Sequence, residues 1–155
     1  MTGQQKPAPF LILTWGNPSR GDDALGPALF DMLKQHQQQT TGLGDVEVLT
    51  DFQLQIEHAV DLEQREHVLF VDASVSCEAP FEVQSLKAER DDSFTTHAMS
   101  PASVLAVYKQ VNGCKPPPAH LLTIRAHEFG LGKEMSHKAK ANLQKAFEHI
   151  LSRPW

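Results

Sequence analysis

The chain has 155 residues, with 14 Lys and Arg against 19 Asp and Glu, and 41% hydrophobic residues. That length holds one domain, residues 1–155, with room for a sizeable core, and the composition excludes disorder, collagen-like repeats and low-complexity polymers. A formal net charge of −5 with scattered basic residues argues against a nucleic-acid partner, since phosphate neutralisation needs clustered Lys and Arg. Cys77 and Cys114 belong to no C-x-x-C pair, which argues against a disulfide scaffold and a thiolate zinc site. The first ten residues carry no apolar segment of the signal-peptide kind, and no apolar run approaches the roughly 20 residues of a membrane span. A cytoplasmic protein with no membrane partner is the expectation.

Residues 1–9 read as a polar, Pro-containing arm. Phe10–Trp15 is an unbroken apolar run, the pattern of a strand buried on both faces, and it ends in the turn-forming cluster Gly16–Gly21. From Asp22 the period becomes helical, with Leu25, Leu29, Met32 and Leu33 on one stripe to about Gln38, and Gly42 and Gly44 as stop signals. Val46–Thr50 alternates as a second strand. Leu54, Ile56, Val60 and Leu62 suggest a short helix. His67–Asp72 is a third apolar strand closing in an acid, and Pro80–Leu86 alternates like a strand with one wet face. After a polar loop over 87–96, Ser100-Pro101 opens a helix ending near Asn112-Gly113. His120–Arg125 is a fifth strand, His127–Gly132 a Gly-containing loop, and Ser136 to about Arg153 a last helix.

The order β-α-β-α-β-β-α-β-α predicts a three-layer α/β/α domain with a mostly parallel, twisted five-stranded sheet between helices. In such sheets the functional crevice lies at the carboxyl ends of the strands. Three places put polar side chains there: the turn Gly16–Asp23, Asp72 at the end of strand three, and His97 just ahead of the Ser100 helix. Two carboxylates and an imidazole on one edge suit a divalent metal of borderline hardness. Taken singly, Asp22 or Asp23 could cap the first helix, Asp72 could organise the turn after it, and His97 could be a solvated loop histidine. Other motifs are missing. The first turn is neither G-x-G-x-x-G nor a P-loop, Ser19 is not in a nucleophile elbow, and His127-Glu128 lacks the second His of H-E-x-x-H. Cys77 has no base partner and reads as a space-filling side chain.

Trp15-Gly-Asn-Pro-Ser-Arg-Gly-Asp-Asp-Ala-Leu-Gly-Pro27 resembles the G-x-G-N-x-x-x-x-D-(D/E)-x-x-G signature of the NiFe-hydrogenase maturation endopeptidases. Leu69–Ala73 is similar to that family's second motif, and Thr96–Pro101 to its third, where a His precedes a helix start. The resemblance implies a peptidase that removes the C-terminal extension of a hydrogenase large-subunit precursor. It also implies Asp23, Asp72 and His97 as catalytic and metal-contacting residues. Gly16, Asn17, Asp22 and Gly26 would shape the turn that presents them, Asp22 as a helix cap and Gly26 at a close helix–sheet contact. Nickel would arrive in the precursor as the recognition signal and would not be held tightly by the isolated protein, which is expected to be a monomer. Two positions depart from the pattern. Thr14 stands where the family has its first Gly, and Asp51–His58 replaces a Gly-rich Asp-Gly-Gly-Thr-type loop, bearing on which precursor is chosen. The alternatives are a non-catalytic nickel- or precursor-binding maturation chaperone on the same fold, and a general metallopeptidase holding its own zinc.

Overall fold

The computed structural model describes residues 5–90 and 99–154. These form a five-stranded sheet in the order β2-β1-β3-β5-β4. The strands are β1 (Phe10–Trp15), β2 (Val46–Asp51), β3 (His67–Ser74), β4 (Phe81–Leu86) and β5 (Ala119–Arg125). The pairs β1–β2, β1–β3 and β3–β5 are parallel, and β4 runs antiparallel to β5 at one edge. Helices α1 (Leu25–Gln39), α2 (His58–Asp61), α3 (Pro101–Asn112) and α4 (His137–Leu151) complete the α/β/α domain expected from the pattern. None of the described helices is long and apolar enough to cross a membrane.

The sheet separates two cores, and the strand period of two decides which side chain enters which. Ile12, Leu69, Val71, Leu122 and Ile124 face α1 and α4, where they meet Leu25, Leu29, Leu33, Leu143 and Ile150. Leu11, Leu13, Val68 and Phe70 face the opposite way, against Leu54, Leu62, Val104 and Leu105. Complete burial of each Leu on the α1 stripe contributes about 1.5–3 kcal/mol, which dwarfs the indifferent helix propensity of its Gln-rich end. Ser100 caps α3 by accepting from the Ser103 N–H at 3.1 Å, and Gly113 ends it in a left-handed conformation. Ser136 caps α4 through the Ala139 N–H at 3.2 Å.

Several local expectations need correction. A 3-10 turn over Gly21–Ala24 precedes α1, which begins at Leu25 and ends with Thr40 extended before either stop glycine is reached. The helix expected near 54–62 shrinks to α2. There Leu54 and Leu62 are buried while Ile56 and Val60 are exposed, because residues 52–57 form a loop in which only Leu54 is buried, and α2 turns Val60 to solvent. Strand β3 runs past Asp72 to Ser74, since pairing with β5 continues as far as Ser74 opposite Arg125. Strand β4 has no dry face: its four central residues are exposed, as befits an edge strand.

Candidate active site

The turn between β1 and α1 is built by close approach. Gly16 has φ +149°, and a Cβ there would lie 2.0 Å from the Asp23 carbonyl oxygen. Gly26 is equally constrained, because its Cβ would lie 2.2 Å from the carbonyl oxygen of Trp15, where α1 crosses the end of β1. Only residues without a side chain allow the chain to fold back this tightly. Asn17 fixes what lies between. Its side-chain oxygen accepts from the Ser19 N–H at 2.8 Å, and its own N–H donates to Asp23 Oδ2 at 2.9 Å. The half-buried Asp23 is thereby presented at the carboxyl edge of the sheet.

The two consecutive acids do different work. Asp22 makes no cap bond to the 3-10 turn or to α1, contrary to the capping role the sequence suggests. Its fully buried carboxylate turns toward the segment joining β5 to α4. Oδ2 accepts from the N–H groups of His127 at 2.7 Å and Glu128 at 2.9 Å, and from the Ser136 hydroxyl at 2.8 Å. Oδ1 accepts from the Ser136 N–H at 2.7 Å. Burial alone would raise this carboxyl, but the bonds from Ser136, Glu128 and His127 outweigh it and hold it below its ordinary value. Backbone bonds continue the seam: the Gly21 N–H to Lys133, the Asp22 N–H to Glu128 and the Gly132 N–H to Ser19. Sequence reasoning read His127–Gly132 as a separate loop and missed this clamp. Its signal was the doubled acid itself, one more carboxylate than a metal edge requires.

Asp72 lies on β3 opposite Thr123 of β5, half-buried, with Oδ1 accepting from the Ala73 N–H at 2.8 Å. Its carboxyl is pushed up to about 7, first by burial and then by the nearby negative charge of Asp23, against a lowering by the Ala73 N–H. Two carboxylates, one on the β1–α1 turn and one on β3, thus face a shared space and repel. A divalent cation relieves that repulsion. Among the described residues no group of three or more His, Cys, Asp or Glu is arranged to hold a metal. His97 lies outside the described residues. The segment after it re-enters at Met99, whose N–H donates to Leu54 of the β2–α2 loop at 3.2 Å.

That loop is the other border of the edge. Asp51 ends β2, accepts from the Gly16 N–H through its carbonyl at 3.1 Å, and pairs with His58 at 3.2 Å. His58 Nδ1 accepts from the Gln55 N–H at 2.8 Å, and Asp51 Oδ1 from the Phe52 N–H at 2.6 Å. The buried Leu54 pins the middle, while Phe52 and Ile56 stand in solvent. The segment Asp51–His58 is therefore a braced one.

Comparison with solved structures gives this mostly parallel α/β/α fold a definite likeness. The chain superposes on a NiFe-hydrogenase maturation protease, HycI, from Thermococcus kodakarensis KOD1 with a TM-score of 0.70, 22% identity, and coverage of 94% of this chain and 91% of that one. The hydrogenase maturating endopeptidase HybD from E. coli gives 0.68 at 22% identity, covering 93% and 90%. A hydrogenase 2 maturation peptidase from a Thaumarchaeota archaeon gives 0.63 at 22% identity, covering 93% and 96%. No protein-family model and no curated protein sequence matches the chain. The chain has the fold of the hydrogenase maturation proteases.

Proposed function

We propose that the protein is an endopeptidase that removes the C-terminal extension of a nickel-loaded NiFe-hydrogenase large-subunit precursor. The observation that carries this reading is the Asp23–Asp72 pair. On a fold shared with maturation proteases over more than nine-tenths of the chain, two half-buried carboxylates at the carboxyl edge leave a charge that only a cation or a proton satisfies. Nickel enters as part of the substrate. Asp23 and Asp72 offer it carboxylate oxygens, and His97 is proposed as the third contact. Docking by the metal then sets the precursor's tail beside the same carboxylates, where a water activated by the metal or by a carboxylate attacks the peptide bond. Among the described residues no Ser-His-Asp or Cys-His arrangement competes: Cys77 is buried, its thiol donating to the carbonyls of Ser74 and Thr123. The precursor and the cytoplasm as compartment are parts of this proposal.

The test is genetic and mass-spectrometric. Deleting the gene should leave one hydrogenase large subunit with its C-terminal extension, seen as intact mass. Complementation with the wild type should restore trimming, whereas Asp23→Ala, Asp72→Ala or His97→Ala should not, with each variant retaining the wild-type circular dichroism spectrum. Normal trimming in the deletion strain, or by all three variants, would remove the peptidase reading. A variant-independent loss of nickel from the subunit would instead favour the maturation chaperone.

A further inference from the structure

Arg125 closes β5 at the carboxyl edge that carries the acids. The register places it. Thr123 lies opposite Asp72 and Arg125 opposite Ser74, so these four side chains leave the same face of the sheet by the strand period of two. Neighbouring strands about 4.8 Å apart, rising about 3.3 Å per residue, set the backbones of Arg125 and Asp72 about 8 Å apart. The connection from β3 to β4 passes over the end of β5, because β5 stands between them in the sheet. Arg125 Nη1 donates to the Cys77 carbonyl of that connection at 2.8 Å. Its Nε is buried and meets no acceptor among the described residues, and Nη2 makes no hydrogen bond to any of them. None of the ion pairs among the described residues involves Arg125, whereas Arg65 pairs with Glu47 and Arg153 with Asp45. Glu82, opposite Thr123 on β4, accepts from the Glu78 N–H at 3.0 Å and forms no ion pair with it.

A planar guanidinium held by one nitrogen has the direction of its other donors fixed. Nε–H and the neighbouring Nη2–H point the same way, and together they match a carboxylate with two parallel bonds. That edge of Arg125 is unfilled. A partly buried cation with an orphaned donor is costly until an acceptor arrives, and a carboxylate answers both donors and the charge at once. We infer that the Nε–Nη2 edge of Arg125 holds a carboxylate of the protein substrate close to the cleaved bond. The inference rests on the peptidase reading for the identity of that substrate. An extended chain covers about 7 Å in two residues, so a substrate that reaches Asp72 brings its adjoining residues to Arg125. The carboxylate belongs either to an Asp or Glu side chain or to the free C-terminus of the tail, since both offer the same two oxygens. Asp23 and Asp72 would repel such a group, and Arg125 is the cation that admits it to an acidic edge. It thereby sets the substrate's register and leaves the metal and the water to the acids.

The experiment measures equilibrium binding and steady-state cleavage of the purified, nickel-loaded precursor by the full chain, with the cleaved bond located by intact mass. Arg125→Gln should raise Kd and KM by about tenfold or more while kcat stays close to that of the wild type. Arg125→Lys keeps the charge but not the paired donors, and should fall between the two. Two altered precursors locate the carboxylate. One has each Asp and Glu near the cleaved bond changed to its amide, and the other has its terminal carboxylate amidated. One of the two should bind the wild type as weakly as Arg125→Gln binds the native precursor, and Arg125→Gln should not distinguish it from the native one. If Arg125 only braces the chain through Cys77, Arg125→Gln loses the same factor on all three precursors, and that result overturns the inference. Wild-type affinity in Arg125→Gln overturns it too, and with cleavage intact the peptidase reading stands. Should Arg125→Gln fail to fold, Arg125→Lys against the same three precursors makes the same comparison. Binding that depends on Arg125 and on the carboxylate without any cleavage upholds the inference and defeats the peptidase reading. A wild-type chain that binds no precursor defeats both.

Discussion

At the residue scale, two neighbouring acids divide between structure and site. Asp22 accepts four hydrogen bonds inside the protein, and Asp23 is presented at the edge by the Asn17 N–H. Replacing Asp22 by Ala strands buried donors, each costing about 1–3 kcal/mol, so a loss of roughly 2–4 kcal/mol is expected in denaturant unfolding. The Asp23→Ala change should cost far less stability and all of the activity. The pH dependence has a definite sign. The folded Asp22 carboxyl lies below its ordinary value of 3.8, so its stabilisation is full above that value and disappears as pH falls through the lower folded value. Melting temperature should therefore drop more steeply below pH 4 for the wild type than for Asp22→Asn, which keeps only the share of carboxylates such as Asp45. Parallel curves would show that Asp22 does not carry the charge-dependent part. The doubled acid was visible in the sequence. Its division of labour was not, because Ser136 lies 114 positions away from Asp22 and only the fold brings them together.

At the element scale, the sequence exposed most where burial is continuous and least where a short element is held by its neighbours. Strands β1 and β3 announce themselves as apolar runs because both faces are covered. The ends of α3 are written in Ser100-Pro101 and Asn112-Gly113. The region 52–62 misled because Leu54 and Leu62 mimic a helical row, while side-chain bonds from His58 and Asp51 organise the loop instead. The β5–α4 segment has no periodicity at all, since its conformation is set by a carboxylate from another part of the chain. The contact between α1 and β1 offers a sharp test. Gly26→Ala puts a methyl group 2.2 Å from the Trp15 carbonyl oxygen, and backbone on both sides cannot yield as a flexible side chain would. A loss of about 1–3 kcal/mol or more is expected, together with reduced processing, because α1 must shift away from the turn that bears Asp23. Wild-type stability and activity in this variant would mean that the helix can move at no cost.

At the scale of the whole molecule, the two ends of the sheet differ in chemistry. The carboxyl end bears the acids. At the amino end His67 Nε2 and His120 Nδ1 lie 2.7 Å apart, beside a cavity of about 110 Å³ lined by Leu69, Val83, Leu122, His149 and Pro154. Burial, followed by the proximity of His120, holds His67 below its ordinary value. The unfolded chain then binds the proton more readily, so this contribution is full above the ordinary histidine value of about 6.5 and is lost as pH falls through the folded one. Thermal stability should decline between pH 7 and 5, and less so in His67→Gln, while precursor processing at pH 7.5 follows the wild type. Loss of processing in a stable His67→Gln protein would contradict the separation of the two ends.

The Asp22 anchor also governs how this scaffold can be re-engineered. Exchanging residues 127–136 for the corresponding stretch of a structural neighbour keeps the acceptor but endangers all four of its donors. A graft that does not return two consecutive amides and a serine to the same carboxylate unseats the Gly16–Asp23 turn by its neighbour. The modular piece of this protein is therefore the loop and the turn together, exchanged as one cassette.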